Sequence, residues 1–232
     1  MTSWTILARA GTASGDDIIV RQRGGLFEIR YNGIELMSNL NHQSEDQLAL
    51  RSMRRMNYGA RRILIGGLGL GFTLRAVLEI AAPEAEVTVC ELIPEIVEWN
   101  RGPLAHLADH ALDDPRTRVV IGDVQAHLAK IETDYDLILL DTDNGPDFLV
   151  RAANTGLYED SGLGAVAMSL KSKGVAAFWS ATASPEFERR LSAQPWFWVR
   201  DDIPLIPGRV DAMHHIYSCS FSAAALGQRK AA

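Results

Sequence analysis

The hydrophobic and polar positions follow two different patterns along the chain. Between residues 16 and 38 apolar and polar residues alternate in short runs, whereas from residue 62 onward continuous apolar runs are separated by stretches with helical spacing. A period of two is typical of half-exposed strands, and continuous apolar runs between helices are typical of strands buried in a parallel sheet. The pattern therefore predicts a small antiparallel β unit followed by a larger α/β domain.

The first unit contains three predicted strands, at Ile18–Arg21, Leu26–Tyr31 and Ile34–Met37. Glycine-containing turns join them, and one of these turns is Asn32-Gly33. Asn-Gly between two extended runs is a strong signal for a hairpin. We assign residues 1–43 to this N-terminal β unit.

The second domain, residues 44–232, begins with a predicted helix. Ser44 and Gln47 have the spacing of a capping box, and the helix is expected to end near Gly59. Strands and helices then alternate, with strands at 63–65, 87–90, 119–121, 137–140 and 175–179. Two strand-like runs near the C-terminus predict a hairpin on the sheet edge. The fold class is therefore α/β, a mostly parallel seven-stranded sheet with helices on both faces.

Composition narrows the classes of partner. The chain has 232 residues, a formal net charge of -6 and no basic run, which argues against a nucleic-acid surface and favours a small-molecule partner. No window reaches the apolar length that a bilayer span needs, and the N-terminus lacks the pattern of a leader, so we expect a cytoplasmic protein. Cys90 and Cys219 form no paired motif and are expected to be buried thiols.

Some chemistry-bearing side chains are assigned to structure. His106 and His110 lie one helical turn apart, but no third ligand cluster lies near them in sequence, so no metal site is predicted. Four tryptophans are assigned to packing, and two histidines to a strand without a catalytic role. These residues are Trp99, Trp179, Trp196, Trp198, His214 and His215.

The candidate ligand site is the carboxyl edge of the parallel sheet, where open α/β folds bind their ligands. The first strand leads into a glycine-rich turn, which lets a ligand approach the backbone and the unpaired N–H groups of the next helix. The second and third strands end at acidic residues, and the fourth runs into an acidic loop. The predicted binding residues are Gly66, Gly67, Gly69, Gly71, Glu91, Leu92, Gly122, Asp123, Val124 and Asp141.

Each position also has a purely structural interpretation. The glycines could serve strand-to-helix packing alone, and Glu91 could complement a helix macrodipole. Asp123 could cap the helix that follows it, which is compatible with a ligand contact, and Asp141 could start a turn. A nicotinamide dinucleotide is the nearest rival ligand, because Glu91 lies about twenty residues beyond the glycine turn. No Lys followed by Ser or Thr closes the loop, which argues against a triphosphate site.

The stretch from Arg61 to Gly174 resembles the core of the polyamine aminopropyltransferases, the spermidine synthases, which are built on the class I methyltransferase fold. "ILIGGLGLGFTLRAVLE" is similar to their glycine loop and "VTVCELIPEIVE" to their ribose-binding strand end. "DPRTRVVIGDVQAHL" is similar to their adenine-binding segment and "YDLILLDTDNGP" to their catalytic loop. The resemblance implies a Rossmann-like fold and a donor that is S-adenosylmethionine or its decarboxylated form.

The resemblance also implies roles for single residues. Glu91 would bind the ribose hydroxyls and Asp123 the adenine amino group. Asp141 would orient or deprotonate the reacting group, assisted by Asp143. Asn144 would assist at the acceptor, and a homodimer assembled through the N-terminal β unit would be expected.

Tyr158 is a further expected acceptor contact.

Four positions depart from the family's pattern. An aspartate that pairs with the donor's ammonium falls on Leu70 here, and polar residues of the polyamine site fall on Leu36, Leu48 and Ala49. A substrate with several positive charges needs carboxylates around it. The sequence therefore favours methyl transfer to an unknown small molecule. Two alternatives stay open: aminopropyl transfer from decarboxylated S-adenosylmethionine, and nucleotide binding without catalysis.

Overall fold

The computed structural model describes residues 3–11, 15–57, 59–130, 134–142, 144–147, 152–205 and 212–227. The strands are β1 Thr5–Gly11, β2 Asp17–Arg23, β3 Leu26–Tyr31, β4 Ile34–Ser38, β5 Arg62–Gly66, β6 Glu86–Glu91, β7 Thr117–Ile121, β8 Tyr135–Leu140, β9 Leu170–Ser180, β10 Phe197–Pro204 and β11 Met213–Ser220. The helices are α1 Gln43–Arg55, α2 Phe72–Ile80, α3 Pro94–Arg101, α4 Val124–Leu128, α5 Asp160–Ser169 and α6 Pro185–Ala193. Short 3-10 turns cover Ala105–Ala108, Ala111–Asp113, Ala152–Tyr158 and Ala223–Leu226.

The large sheet has seven strands in the order β10-β11-β9-β8-β5-β6-β7. β7, β6, β5, β8 and β9 are parallel, and β11 and β10 form the antiparallel edge hairpin. The α/β class, the parallel core and the C-terminal hairpin predicted from the sequence are confirmed. Because β8 lies beside β5, the chain reverses its direction of travel across the sheet there, which is where such sheets bind ligands.

The N-terminal sheet is antiparallel with four strands in the order β1-β2-β3-β4. The sequence predicted the last three of these strands and missed β1. Most side chains of β1 are exposed, and its apolar residues include the consecutive pair Ile6 and Leu7, so its pattern lacks the alternation that marks a half-buried strand. Antiparallel pairing with β2 holds β1 in place, and the residues of β1 alone do not reveal this pairing.

Helix α1 is where the capping prediction was wrong. The N-cap is His42, without a side-chain cap, and Ser44 lies inside the first turn. The Ser44 hydroxyl instead donates a hydrogen bond to Oε2 of Glu45 at 2.6 Å. The helix ends at Arg55, before the predicted end near Gly59. Ser44 is thereby free to take part in a side-chain network rather than in the helix terminus.

One buried cluster runs through both sheets. It includes Ile18 and Ile29 of the small sheet together with Ile63 and Val175 of the large one. The predicted first unit, residues 1–43, ends where α1 begins. The apolar face of its sheet packs directly on the second domain. Within the described ranges, no helix has both the length and the apolar character needed to cross a membrane.

Candidate functional site

A cavity of about 610 Å³ opens at the carboxyl edge of the parallel strands. The ends of β5, β6, β7, β8 and β9 form its floor, α1 and β11 contribute to one side, and β4 of the small sheet covers part of it. A space of this size suits a nucleoside-sized molecule with a short tail. A cavity therefore lies at the carboxyl edge of the sheet, where the sequence predicted the ligand site.

Only some residues of the glycine turn line the cavity. Gly67 and Gly69 line the cavity and have φ values of 90° and 53°. A Cβ at Gly67 would collide with the carbonyl oxygen of Asp141, and one at Gly69 would collide with Met37 of β4. Gly67 is thus required by close packing against backbone as well as by its conformation, whereas Gly69 is required by its conformation, since the flexible Met37 side chain can move aside.

Gly66 and Gly71, which were predicted to bind the donor, do not line the cavity. A Cβ on Gly66 would meet Leu140 at 2.9 Å, and one on Gly71 would meet Ala108 at 2.8 Å. Close packing therefore explains these two positions, as the alternative interpretation of the glycine turn had it.

Glu91 ends β6 and is buried at the cavity wall with 6% of its surface exposed. Its carboxylate accepts hydrogen bonds from the backbone N–H groups of Leu68 and Ile93, each at 2.9 Å. Burial raises the pKa of Glu91, and these backbone N–H donors oppose the rise. Glu91 thereby ties the glycine turn to β6, and a carboxylate keeps further lone pairs for ligand hydroxyls.

The end of β7 supplies the next wall. Gly122, Asp123 and Val124 all line the cavity, as does Leu92 after β6. The Asp123 carboxylate accepts a hydrogen bond from the backbone N–H of Gln125 at 2.8 Å and caps α4. The cap and the cavity position occur together, so the structural and the ligand interpretations of Asp123 remain compatible.

Asp141 follows β8 and lines the cavity as a partly buried side chain. Its Oδ2 accepts a hydrogen bond from the Thr73 hydroxyl on α2 at 2.7 Å. Burial raises the pKa of Asp141 to about 6, and the Thr73 hydrogen bond opposes that rise. A carboxyl group with such a pKa exchanges protons near neutral pH, which suits acid or base chemistry.

Glu45 on α1 is a cavity residue that sequence reasoning missed. It is 8% exposed, and burial together with the negative charge of Asp141 raises its pKa to about 7. An acid in the first turn of a helix is ordinary because it complements the macrodipole, so no sequence pattern singles Glu45 out. Its partnership with Asp141 exists only in the folded chain.

Two further residues that were assigned to structure line the cavity. Trp179 at the end of β9 and His214 on β11 pack edge to face with ring centroids 4.7 Å apart. Nδ1 of His214 lies 2.9 Å from the Ser44 hydroxyl oxygen. Burial, followed by the charge of His215, lowers the pKa of His214 to about 4, so this ring is neutral at physiological pH. Leaving Trp179 out of the site was therefore wrong as to its location, and His214, for which a catalytic role was disfavoured but not decided, lies at the site.

The loop after β8 divides the remaining predictions. Asn144 lines the cavity, and its carbonyl accepts a hydrogen bond from the Ala181 N–H at 3.1 Å. Tyr158 does not line the cavity; it is buried, its ring packs against Phe187, and its hydroxyl lies 3.4 Å from the Thr142 hydroxyl. Asp143 lies outside the described residues.

The four departures from the family pattern have different fates. Leu36 lines the cavity, whereas Leu48, Ala49 and Leu70 are fully buried in the core. The polar groups expected at those three positions are therefore replaced by packing, and Glu45 supplies a carboxylate to the cavity from elsewhere on α1.

The described part of the cavity wall is strongly acidic. It carries five carboxylic side chains and no Lys or Arg, the acids being Glu35, Glu45, Glu91, Asp123 and Asp141. The described residues contain no group of three or more His, Cys, Asp or Glu side chains arranged to hold a metal ion. Such a wall attracts cationic molecules and disfavours anionic ones.

Comparison with known proteins identifies related sequences. A family model described as spermine/spermidine synthase domain matches residues 47–194. A polyamine aminopropyltransferase of Bacillus mycoides (strain KBAB4) is 28% identical over 143 residues, which is 62% of this chain and 49% of that protein. One of Korarchaeum cryptofilum (strain OPF8) is 34% identical over 80 residues, 34% of this chain and 24% of that protein. The matched region thus spans about half of the Bacillus mycoides protein and about a quarter of the Korarchaeum cryptofilum protein.

Solved structures agree with the fold. Spermidine synthase from Thermotoga maritima superposes with a TM-score of 0.77 at 20% identity, covering 96% of this chain and 75% of that one. A spermidine synthase in complex with the transition state analogue AdoDATO gives a TM-score of 0.75 at 20% identity, covering 96% and 74%. At this identity the likeness establishes a common Rossmann-like fold.

Proposed function

The chain belongs to the spermine/spermidine synthase family, and on that premise we propose that it transfers an aminopropyl group from decarboxylated S-adenosylmethionine to an amine. Its relatives named polyamine aminopropyltransferase support this reaction over the methyl transfer that the sequence favoured. The name of these relatives also indicates the class of acceptor, because polyamines and their precursors are amines.

The observation that carries the proposal is the charge of the cavity wall. S-adenosylmethionine ends in an ammonium and a carboxylate, whereas the decarboxylated donor carries two positive charges and no carboxylate. A wall with five acids and, among the described residues, no Lys or Arg offers the carboxylate no ionic partner and repels it. The wall therefore favours the decarboxylated donor.

The strand order divides the cavity into two parts. The donor half consists of the ends of β5, β6 and β7, with Gly67, Glu91 and Asp123. In this half Glu91 would hold the ribose and Asp123 the adenine. The backbone at Gly67 and the residues after it would face the tail of the nucleoside.

The acceptor half consists of the ends of β8, β9 and β11 together with α1. Its side chains include Glu45, Asn144, Trp179 and His214, and Asp141 stands at the border with the donor half. Glu45 and Asp141 are the carboxyl groups here, and we assign them to the two amino groups that the site must hold, the ammonium of the donor's aminopropyl chain and the acceptor amine. Asp141 holds the reacting amine in line with the carbon, so it is the catalytic residue of this proposal, with Asp143 assigned to assist it.

The chemistry needs little beyond positioning and the removal of one proton. A neutral amine attacks the aminopropyl carbon, a C–N bond forms, and the C–S bond breaks so that sulfur leaves as a neutral thioether. Before it attacks, the acceptor ammonium must give a proton to the protein. Groups with pKa values of about 6 and about 7, as Asp141 and Glu45 have, accept a proton readily at neutral pH.

The preference for methyl transfer rested on the loss of polar residues at Leu36, Leu48, Ala49 and Leu70. Glu45 weakens that reasoning, because it returns a carboxylate to the same cavity from another position. The expected cationic ligand therefore keeps a pair of acids.

A donor-exchange assay tests the proposal. The purified protein is incubated with decarboxylated S-adenosylmethionine or with S-adenosylmethionine, and with putrescine, spermidine or a primary monoamine, and products are identified by mass spectrometry. An acceptor gaining an aminopropyl group, with release of methylthioadenosine, supports the proposal. Methylated acceptor from S-adenosylmethionine, or donor binding in calorimetry without any turnover, contradicts it in favour of a methyltransferase or a binding protein.

The homodimer and the cytoplasmic location remain predictions. Light scattering on the purified protein tests the first, and fractionation of the source cells tests the second.

A further inference from the structure

Three side chains of the acceptor half form a hydrogen-bonded row. Nδ1 of His214 lies 2.9 Å from Oγ of Ser44, and Oγ of Ser44 lies 2.6 Å from Oε2 of Glu45. The row joins β11 to the first turn of α1, and both of its ends line the cavity. A row of this kind is a path along which protons can be exchanged.

The hydrogens in this row are ordered by the number of donors available. The short Ser44–Glu45 distance is typical of a hydroxyl donating to an ionised carboxylate. Ser44 has one hydroxyl hydrogen, so when it donates to Glu45 its oxygen must accept from Nδ1–H of His214. The neutral ring then carries no hydrogen on Nε2, which leaves that nitrogen as a hydrogen-bond acceptor.

We propose that His214, Ser44 and Glu45 form a proton-transfer chain that carries the proton of the acceptor ammonium from Nε2 of His214 to the carboxylate of Glu45. The N–H bond of the ammonium breaks as the Nε2–H bond forms, Nδ1–H passes to Ser44, and the Ser44 hydrogen passes to Oε2 of Glu45. An ammonium and a carboxylate become a neutral amine and a carboxylic acid. The source of the proton rests on the proposed function, whereas the chain itself rests on the geometry.

The chain explains how a histidine that is hard to protonate takes part in proton transfer. The imidazole gives up Nδ1–H as it receives Nε2–H, so it never carries two hydrogens and never becomes charged. The proton ends on Glu45, whose pKa of about 7 is suited to holding it at neutral pH. Trp179 packs edge to face with the His214 ring, and this contact holds the ring in the orientation of its hydrogen bond with Ser44.

The charges around the chain are few. Asp141 raises the pKa of Glu45, and His42 lowers it from the same helix. His42 also contacts Asp46, which accepts a hydrogen bond from Arg75 on α2. Of these groups, Asp141 and His42 shift the pH at which Glu45 takes up a proton.

On the β11 side, His215 acts on His214 and is itself bonded to Asp202 of β10 at 2.7 Å. His215 therefore shifts the protonation of the ring without belonging to the row.

The chain makes a spectroscopic prediction for the protein without ligand. Proton–nitrogen NMR of histidine-labelled protein between pH 5.5 and about 9 should show His214 neutral throughout but changing tautomer. Nδ1–H is expected at high pH and Nε2–H once Glu45 is protonated, with the change centred near the pKa of Glu45, about 7. Glu45→Gln and Ser44→Ala should abolish the change, and Ser44→Thr, which keeps the hydroxyl, should preserve it.

Matched controls separate the chain from general damage to the fold. Ser52→Ala changes another buried serine of α1, eight residues further on, whose hydroxyl has no hydrogen-bond partner among the described residues. His215→Gln changes the neighbouring histidine, which bonds Asp202, whereas the His214 signal itself is assigned by its loss in His214→Gln. Both controls should leave the tautomer change in place.

The second measurement is kcat/KM for aminopropyl transfer across the same pH range. Ser44→Ala and His214→Gln should lower it by about 100-fold or more at pH 7, as expected for lost proton transfer, with Ser44→Thr retaining most of the activity. A tautomer change without turnover on any substrate would reject the proposed function and leave the chain standing. A single His214 tautomer at every pH, an imidazolium above pH 6, or full activity in Ser44→Ala would overturn the chain.

Discussion

The donor half and the acceptor half of the cavity are assembled in different ways. The donor half takes its groups from three consecutive strand ends, and Glu91 there is held by backbone N–H donors alone. The acceptor half collects Glu45, Asp141 and His214 from α1, β8 and β11, which are far apart in sequence. Under the proposed function, local motifs would recognise the nucleoside, whereas long-range contacts would set the chemistry at the acceptor.

Replacing Asp141 should have the largest effect and should leave the donor half intact. Asp141→Asn keeps the shape and the Thr73 contact but removes the charge that faces the amine. Turnover is expected to fall by about a thousandfold, within the range for a catalytic acid or base. The measurement is steady-state aminopropyl transfer together with calorimetric binding of methylthioadenosine.

Asp113→Asn, a change at an exposed position, is the matched control and should be silent. Equal loss of nucleoside affinity and turnover in Asp141→Asn would mean that the border between the two halves is drawn in the wrong place.

The complementary change is in the donor half. Glu91→Gln places an amide where two backbone N–H groups need an acceptor, so one buried donor loses its partner. That loss lowers stability, whereas the loss of affinity comes from the ribose: a hydrogen bond to a charged group contributes about 1.5–3 kcal/mol, so methylthioadenosine should bind about 10- to 100-fold more weakly. Calorimetry measures the effect, and Glu86→Gln at the start of the same strand serves as the control. An unchanged affinity in Glu91→Gln would remove Glu91 from nucleoside recognition.

A smaller effect is expected from the wall of the acceptor half. Trp179→Leu removes the ring that packs against His214 and should raise KM for the amine about tenfold, with donor affinity unchanged. Trp198→Leu is the control, because that ring lies on the edge strand β10 and contacts Tyr217. If both substitutions had the same effect, the acceptor half would owe nothing specific to Trp179.

The smallest expected effect is on stability in the absence of ligand. The pKa of Asp141 is about 6 in the folded chain against 3.8 ordinarily, so its ionisation weakens folding. The stability that the protonated group contributes is complete below pH 3.8 and is lost as the pH rises through 6. The advantage of Asp141→Asn over wild type in Tm should therefore grow by about 3 °C between pH 5 and pH 8.

Thermal unfolding followed by circular dichroism measures this difference. A constant difference across that pH range would show that Asp141 is not held in a costly ionised state.

The sequence predicted the large sheet and the donor half because both depend on local signals. Apolar runs mark buried strands, and a residue that ends such a run necessarily lies at the sheet edge, as Glu91 and Asp123 do. Gly66 and Gly71 show the limit of this reasoning, since a glycine required by packing looks the same in sequence as one that faces a ligand.

The acceptor half could not be predicted in the same way. Glu45 and Ser44 have the sequence of an ordinary first helical turn, and their chemistry appears only when β11 brings His214 against α1. The raised pKa of Glu45 and the lowered pKa of His214 come mainly from burial, which depends on the packing of several elements. Strand β1 was missed for a related reason, because its place depends on pairing with β2.

The contact between Met37 and Gly69 links the two sheets at the point where the nucleoside tail would lie. A fragment that starts at residue 44 would keep the whole glycine turn but lose the thioether that covers it, and the shared core would open to water. The positive φ of Gly69 restricts that position to glycine, so Met37 is the partner of this contact that can change. We therefore expect the N-terminal β unit to be inherited together with the glycine turn and not as an exchangeable accessory.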